Sequence, residues 1–218
     1  MSLPSSPSSE LKFLVFGAGA IGTYIGGSLV LAGHQVVFVE KPKMVEELKA
    51  KGLRLDLTVD ERRNTKDVSI IDSKSFIIEP SLEDALKYGP FDAALFALKS
   101  FDTVSAMEGL KPFADKLPPL LCLSNGVDNE PIIARTLGPD KVIYGTVTTA
   151  IGRRGPGSIV LEKLRGVGIA AGHPLSEKLV AAFDNAYLKC RLYPDALSMK
   201  WSKMLTNLVA NPTSAILN

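Results

Sequence analysis

The sequence predicts an α/β fold, a doubly wound parallel sheet, on three observations. Apolar runs at 11–16, 91–98 and 119–124 are too continuous for strands wetted on one face, and segments of helical spacing separate them. Strands buried on both faces and alternating with helices form a parallel sheet covered on each side. A glycine-rich turn joins the first run to the first helix. Near residue 150 the pattern changes to short strands and glycine turns, which suggests an antiparallel ribbon.

Taken in order, "LKFLVF" (11–16) is a short apolar strand, and 20–32 has helical spacing closed by Gly33, a natural C-terminal stop. "QVVFVE" (35–40) is the second strand, and 42–51 is a helix with Pro42 in its first turn. The region 53–79 is less regular, with short strands expected near 53–59 and 68–78. Ser81 caps a short helix to Lys87. "FDAALFAL" (91–98) and "PLLCLS" (119–124) are buried strands flanking a helix at 102–115, and a helix at 131–137 precedes the strand "KVIYGTVTTA" (141–150). The ribbon is expected over 152–172, followed by a helix at about 175–188. Pro194 breaks regular structure, and Asp195 can cap a closing helix.

Composition narrows the function classes. With 218 residues, 46% hydrophobic and 22% charged, the chain is ordinary for a globular protein. Its 25 basic and 23 acidic residues leave a net charge of +2, which gives no reason to expect nucleic acid or an anionic membrane as partner. Two distant cysteines, Cys122 and Cys190, make no disulfide framework, and His34 and His173 are too few for a zinc site, so no metal is expected. The first ten residues, "MSLPSSPSSE", suggest a disordered tail, and no run approaches a membrane span. The default location is the cytoplasm.

"FGAGAIG" places Gly17, Gly19 and Gly22 in G-x-G-x-x-G spacing, with Ala20 and Ile21 opening the helix. The spacing alone is weak evidence; a preceding strand, a following helix and a second strand at βαβ distance strengthen it. Gly17 makes the tight turn, Gly19 lets a pyrophosphate approach the backbone, and Gly22 lets helix and strand pack closely. The helix N-terminus offers free N–H groups to the phosphates. Glu40, 18 residues after Gly22, favours NAD, whereas Lys41 and Lys43 favour the 2′-phosphate of NADP.

Two other strands end in polar residues, Lys99 in "ALKS" and Asn125 in "LSNG". Lys99 suits a cofactor phosphate or a substrate carboxylate, and Asn125 suits the nicotinamide ribose or amide; a solvated strand end and an ordinary turn explain them equally well. "DERRN" (60–64) is expected to be solvated charge, His34 structural, His173 a loop residue, and Trp201 core. In the closing "KWSKMLTNLVAN", Lys203, Asn207 and Asn211 share about 80° of arc with Lys200. Trp201, Met204, Leu205, Leu208 and Val209 lie opposite. Water is the plainest explanation of the polar face, but two asparagines weaken a helix and are better explained by hydrogen bonds to something specific.

"FLVFGAGAIGTYIGGSLVLAGHQVVFVEK", "ALKS", "LSNGVDN", "GPGSIV" and "KWSKMLTNLVANPTSAI", in that order from 11 to 217, resemble the ketopantoate reductase (2-dehydropantoate 2-reductase) family. The resemblance implies a Rossmann-type sheet followed by the first helix of an all-helical second domain. It divides the chain into a tail (1–10), an NADP-binding domain with its ribbon (11–193) and the start of a helical substrate and dimerisation domain (194–218). By motif, Lys203 matches the catalytic lysine. Asn207 and Asn211 match substrate amides, and Lys99 and Asn125 line the cleft near cofactor and substrate. Gly17, Gly19, Ala20, Ile21, Gly22 and Lys41 would hold NADPH, Lys41 tipping the choice to NADP. The implied reaction is reduction of a 2-keto acid, foremost 2-dehydropantoate to pantoate in pantothenate biosynthesis. Family members continue through further helices that complete the substrate site and much of a homodimer contact, so a truncated chain is expected. The alternatives are a non-catalytic NADP-binding module and a related reductase for another 2-keto acid.

Overall fold

The computed structural model describes residues 10–63 and 67–217, and of 209–217 the backbone only. The tail, apart from Glu10, and Asn64 of the charged loop lie outside the described residues. The chain runs β1 (Lys12–Phe16), α1 (Ala20–Leu31), β2 (Gln35–Val39), α2 (Pro42–Lys51), β3 (Leu53–Asp56), β4 (Ser69–Ile71), β5 (Ile77–Glu79) and α3 (Leu82–Leu86). It continues through β6 (Ala93–Phe96), α4 (Thr103–Leu110), β7 (Leu120–Cys122), α5 (Asn129–Leu137) and β8 (Val142–Val147). Last come β9 (Ala150–Gly155), β10 (Ser158–Lys163), β11 (Val167–Ala170), α6 (Ser176–Asn185), β12 (Cys190–Tyr193) and α7 (Ala196–Leu217).

The main sheet has the order β12-β11-β8-β7-β6-β1-β2-β5. From β8 to β5 every pair is parallel. Alternate side chains of β1 explain the continuous apolar run: Phe13 and Val15 enter one core layer, Leu14 and Phe16 the other. The chain winds from β1 outward through β2 and β5, then returns to β6 on the other side of β1. The switch point therefore lies between β1 and β6, where a doubly wound sheet opens a crevice beyond its strand ends.

A second sheet, β4-β3-β10-β9, covers α1 from outside. The helix is buried from Gly22 to Leu29 because it is packed between two sheets. Gly26 and Gly27 make room for that packing: a Cβ would stand 2.6 Å from the Phe38 ring at the first and 2.8 Å from Leu55 at the second.

Several expectations need correction. The antiparallel ribbon comprises β9 and β10 only; β11 leaves it and pairs antiparallel with β8. Thr149 makes this possible, since its hydroxyl accepts the Gly166 N–H at 2.8 Å and holds the turn into β11. The strand expected over 141–150 ends at Val147 because Thr148 and Thr149 turn their N–H groups to the Gly166 carbonyl. β12 was not expected; it adds parallel to β11 as the sheet edge. The charged loop is not simply solvated. Asp60 is buried, Arg62 and Arg63 pair with it at 2.9 and 3.4 Å, and Arg63 reaches the Ala186 carbonyl at 2.9 Å. Trp201, expected in the core, is 51% exposed.

Candidate active site

The glycine turn has the geometry its spacing requires. Gly17 sits at φ +87°, a conformation side chains rarely adopt. A Cβ on Gly22 would lie 1.9 Å from the Gly17 carbonyl oxygen, so helix and turn close only with glycine there. A Cβ on Gly19 would meet nothing within 4 Å; its outer side is open space. Gly19 is also the N-cap of α1, with no side-chain cap bond, so the first N–H groups of the helix, around Ala20 and Ile21, are available. An open backbone face beside a helix N-terminus fits the pyrophosphate of a dinucleotide.

The end of β2 separates its two charges. Glu40 turns inward: one carboxylate oxygen accepts the Ala18 N–H at 2.8 Å, the other the Lys41 N–H at 2.9 Å. Lys41 and Lys43 face solvent at the start of α2, whose N-cap is Lys41.

Lys99 and Asn125 lie three residues beyond the ends of β6 and β7, the first and second strands from β1 on the switch side, and both are exposed. A polar lattice holds these ends. Ser124 donates from its hydroxyl to the Leu98 carbonyl at 2.8 Å, tying one strand end to the other. Asn129 donates to the Asn125 carbonyl at 2.7 Å and accepts from the buried Thr103 hydroxyl at 2.7 Å. The asparagine-glycine turn is therefore braced from α5 and α4, with Gly126 at φ +100°.

Helix α7 starts beneath the sheet edge, where Asp195 accepts the Ser198 N–H at 2.7 Å and so caps the helix as expected. It then climbs along β8 and β11. Lys203 is half-buried and lines a cleft of about 540 Å³ with Thr146, Thr148, Arg165 and Tyr193. Burial first, and the Arg165 charge second, hold its amine below the usual lysine range. Asn207 is also half-buried. Asn211 lies among the residues whose side chains are not described. Lys200 was expected on a water-facing side and is instead buried, 2.7 Å from the buried Glu130 carboxylate.

A model of the ketopantoate reductase PanE/ApbA family matches residues 13–172. The chain belongs to this family. The 2-dehydropantoate 2-reductase of Archaeoglobus fulgidus is 30% identical over 207 residues, covering 93% of this chain and 63% of that protein. The Pyrococcus horikoshii 2-dehydropantoate 2-reductase is 26% identical over 212 residues, covering 95% of this chain and 64% of its own. The chain thus spans a little under two thirds of the length of these two relatives. Among solved structures, the 2-dehydropantoate 2-reductase of Methylococcus capsulatus superposes with a TM-score of 0.77 at 25% identity, over 95% of this chain and 65% of that one.

For a ketopantoate reductase family chain, the structure brings some expected residues together and leaves others apart. The glycine turn, Lys99 and Asn125 share the C-terminal edge of adjacent strands. Lys203 opens instead onto the cleft beside β8 and β11, and Lys99, Asn125 and Asn207 do not line it. The sequence pattern assigns no role to Thr103, Asn129, Glu130 or Arg165, and Ser124 is legible in it only as a polar strand end. Asn129 and Glu130 carried a usable signal: two polar residues open a helix just after the asparagine-glycine turn, placed to reach back to it.

Proposed function

We propose that this chain carries the cofactor half and the first substrate helix of an NADPH-dependent 2-keto acid reductase, with 2-dehydropantoate as the foremost substrate and pantoate as product. The observation that carries this reading is Lys203, a half-buried ammonium beside the C-terminal edge of a doubly wound sheet, in a chain of the ketopantoate reductase family. Bound NADPH would supply the hydride. The protein's own part is to hold the reactants and manage charge. As negative charge develops on the substrate carbonyl oxygen, the Lys203 ammonium stabilises it and donates the proton that makes the hydroxyl. Asn207 and Asn211 offer donors and acceptors to the substrate's polar groups, and Lys99 and Asn125 line the approach between cofactor and substrate.

Gly17, Gly19, Ala20, Ile21 and Gly22 would cradle the pyrophosphate. Both Glu40 oxygens already accept backbone N–H groups, while Lys41, with Lys43 beside it, is an exposed charge at the end of β2. That division supports NADP over NAD, since a 2′-phosphate meets an available cation. On this reading 11–193 is the dinucleotide-binding unit, α7 opens a helical substrate domain, and homodimerisation belongs to that second unit. Among the described residues no helix is long and apolar enough to cross a membrane.

The test is steady-state turnover of 2-dehydropantoate and a panel of other 2-keto acids with NADPH. Reduction of 2-dehydropantoate with the highest kcat/KM supports the proposal. NADPH binding without reduction of any 2-keto acid leaves a cofactor-binding module and overturns it for this chain.

A further inference from the structure

The way α7 is attached to the sheet is unusual. Of its described side chains, 196–208, only Met199 and Lys200 are buried. Leu197, Trp201, Leu205 and Leu208 are each more than half exposed, so the helix does not dock through its apolar face. It docks through one thioether and one ammonium.

The ammonium has three partners on three elements. Lys200 Nζ lies 2.7 Å from a Glu130 carboxylate oxygen on α5, and donates to the Ser124 carbonyl after β7 at 2.9 Å and to the Gly145 carbonyl in β8 at 3.3 Å. Two of its N–H groups donate to backbone carbonyls, and the ion pair with Glu130 is the third contact. Glu130 is fully buried, one residue after the Asn129 that braces Asn125. Ser124 directly precedes Asn125. One cation thus joins the strand end carrying Asn125 to the helix carrying Lys203, three residues further along. Apolar packing tolerates sliding and rotation, whereas a buried ion pair with directional bonds fixes a register.

We infer that Lys200 and Glu130 are a positioning pair, setting the height and rotation of α7 so that Lys203 and Asn207 face the substrate. Neither residue touches the reacting atoms. Their role in turnover rests on the reductase reading; their role in holding α7 does not.

The experiment compares this chain with its Lys200→Met/Glu130→Leu variant, which fills the volume, removes both charges and leaves neither unpaired. Amide hydrogen exchange is read in α7 and in the parallel strands, together with kcat and KM for 2-dehydropantoate and NADPH. Exchange in α7 is expected to quicken at least tenfold while β1, β6 and β7 stay protected. The kcat is expected to fall at least tenfold with the KM for NADPH unchanged. Wild-type protection of α7 in the variant would overturn the inference. Should the paired variant lose sheet protection, Lys200→Gln/Glu130→Gln gives the same comparison, since it keeps polar side chains at both positions and removes both charges together. If the unaltered chain shows no turnover, the reductase reading fails, and the exchange result still decides this one.

Discussion

Lys203 and Lys41 sit in contrasting surroundings, one half-buried and one exposed, which suit one residue type to the two tasks proposed for them. Lys203 is half-buried with Arg165 across its cleft, so both desolvation and a like charge work against its ammonium. Its folded pKa lies below the unfolded value. Between those two values the unfolded chain holds more protons, so the residue's contribution to stability rises with pH, and the penalty is complete below the folded pKa. The proposed catalysis would run the other way, because the proposed proton donor is lost as pH climbs through that lowered value. The kcat profile should therefore have an alkaline limb below the ordinary lysine range. Arg165→Gln should move that limb to higher pH; a limb that stays put or moves down contradicts the assignment. Lys41 is exposed, and its charge awaits a partner. Lys41→Ala should weaken NADPH binding about tenfold or more, on the order of 1.5–3 kcal/mol for a hydrogen bond between charged groups, and leave NADH binding unchanged. Calorimetric titration of both nucleotides checks this, and equal losses would remove the role given to Lys41.

At the scale of elements, the β1–turn–α1–β2 unit was legible because each requirement leaves its own trace. Strand burial on both faces gives an uninterrupted apolar run, and the crossing of turn and helix demands glycine at fixed positions. Gly22→Ala places a methyl 1.9 Å from the Gly17 carbonyl. It should lower stability by about 1–3 kcal/mol as overpacking does, and weaken NADPH binding more than it lowers the melting temperature would suggest; thermal melts with and without NADPH read both effects. β12 left no such trace. "CRLY" is an edge strand whose last three residues are exposed, so it has no continuous apolar run. The charged loop misled for a related reason. Asp60, Arg62 and Arg63 are local in sequence, but the carbonyls of Ala186 and Tyr187 that Arg63 and Arg62 reach are over a hundred residues away. Composition cannot show a partner supplied by the fold. At Asp60 burial pushes the carboxyl up, but the Arg62 bonds and the Arg62 and Arg63 charges outweigh it and hold the pKa below the usual range.

Across the whole molecule, the order of motifs along the chain disclosed the architecture, while the orientation of α7 stayed hidden. A helical wheel separates a polar from an apolar face but does not say which one meets the domain. Here the polar side carries Lys200 inward, and Trp201 with its leucine neighbours faces out. Trp201 is the single tryptophan, so its fluorescence reports that face directly. It should be readily quenched by acrylamide and emit as a hydrated indole; a shielded, blue-shifted emission would contradict the placement of α7. The candidate site is likewise distributed, with the cofactor turn at the switch point and Lys203 carried in by a helix from the far edge. The account stands most directly on turnover. NADPH oxidation should be measured with 2-dehydropantoate for this chain and for Lys203→Ala. The account predicts reduction by the unaltered chain and a loss of about 10²-fold or more in kcat for the variant, as for removal of a general acid, with NADPH affinity retained. Full kcat in Lys203→Ala would contradict it.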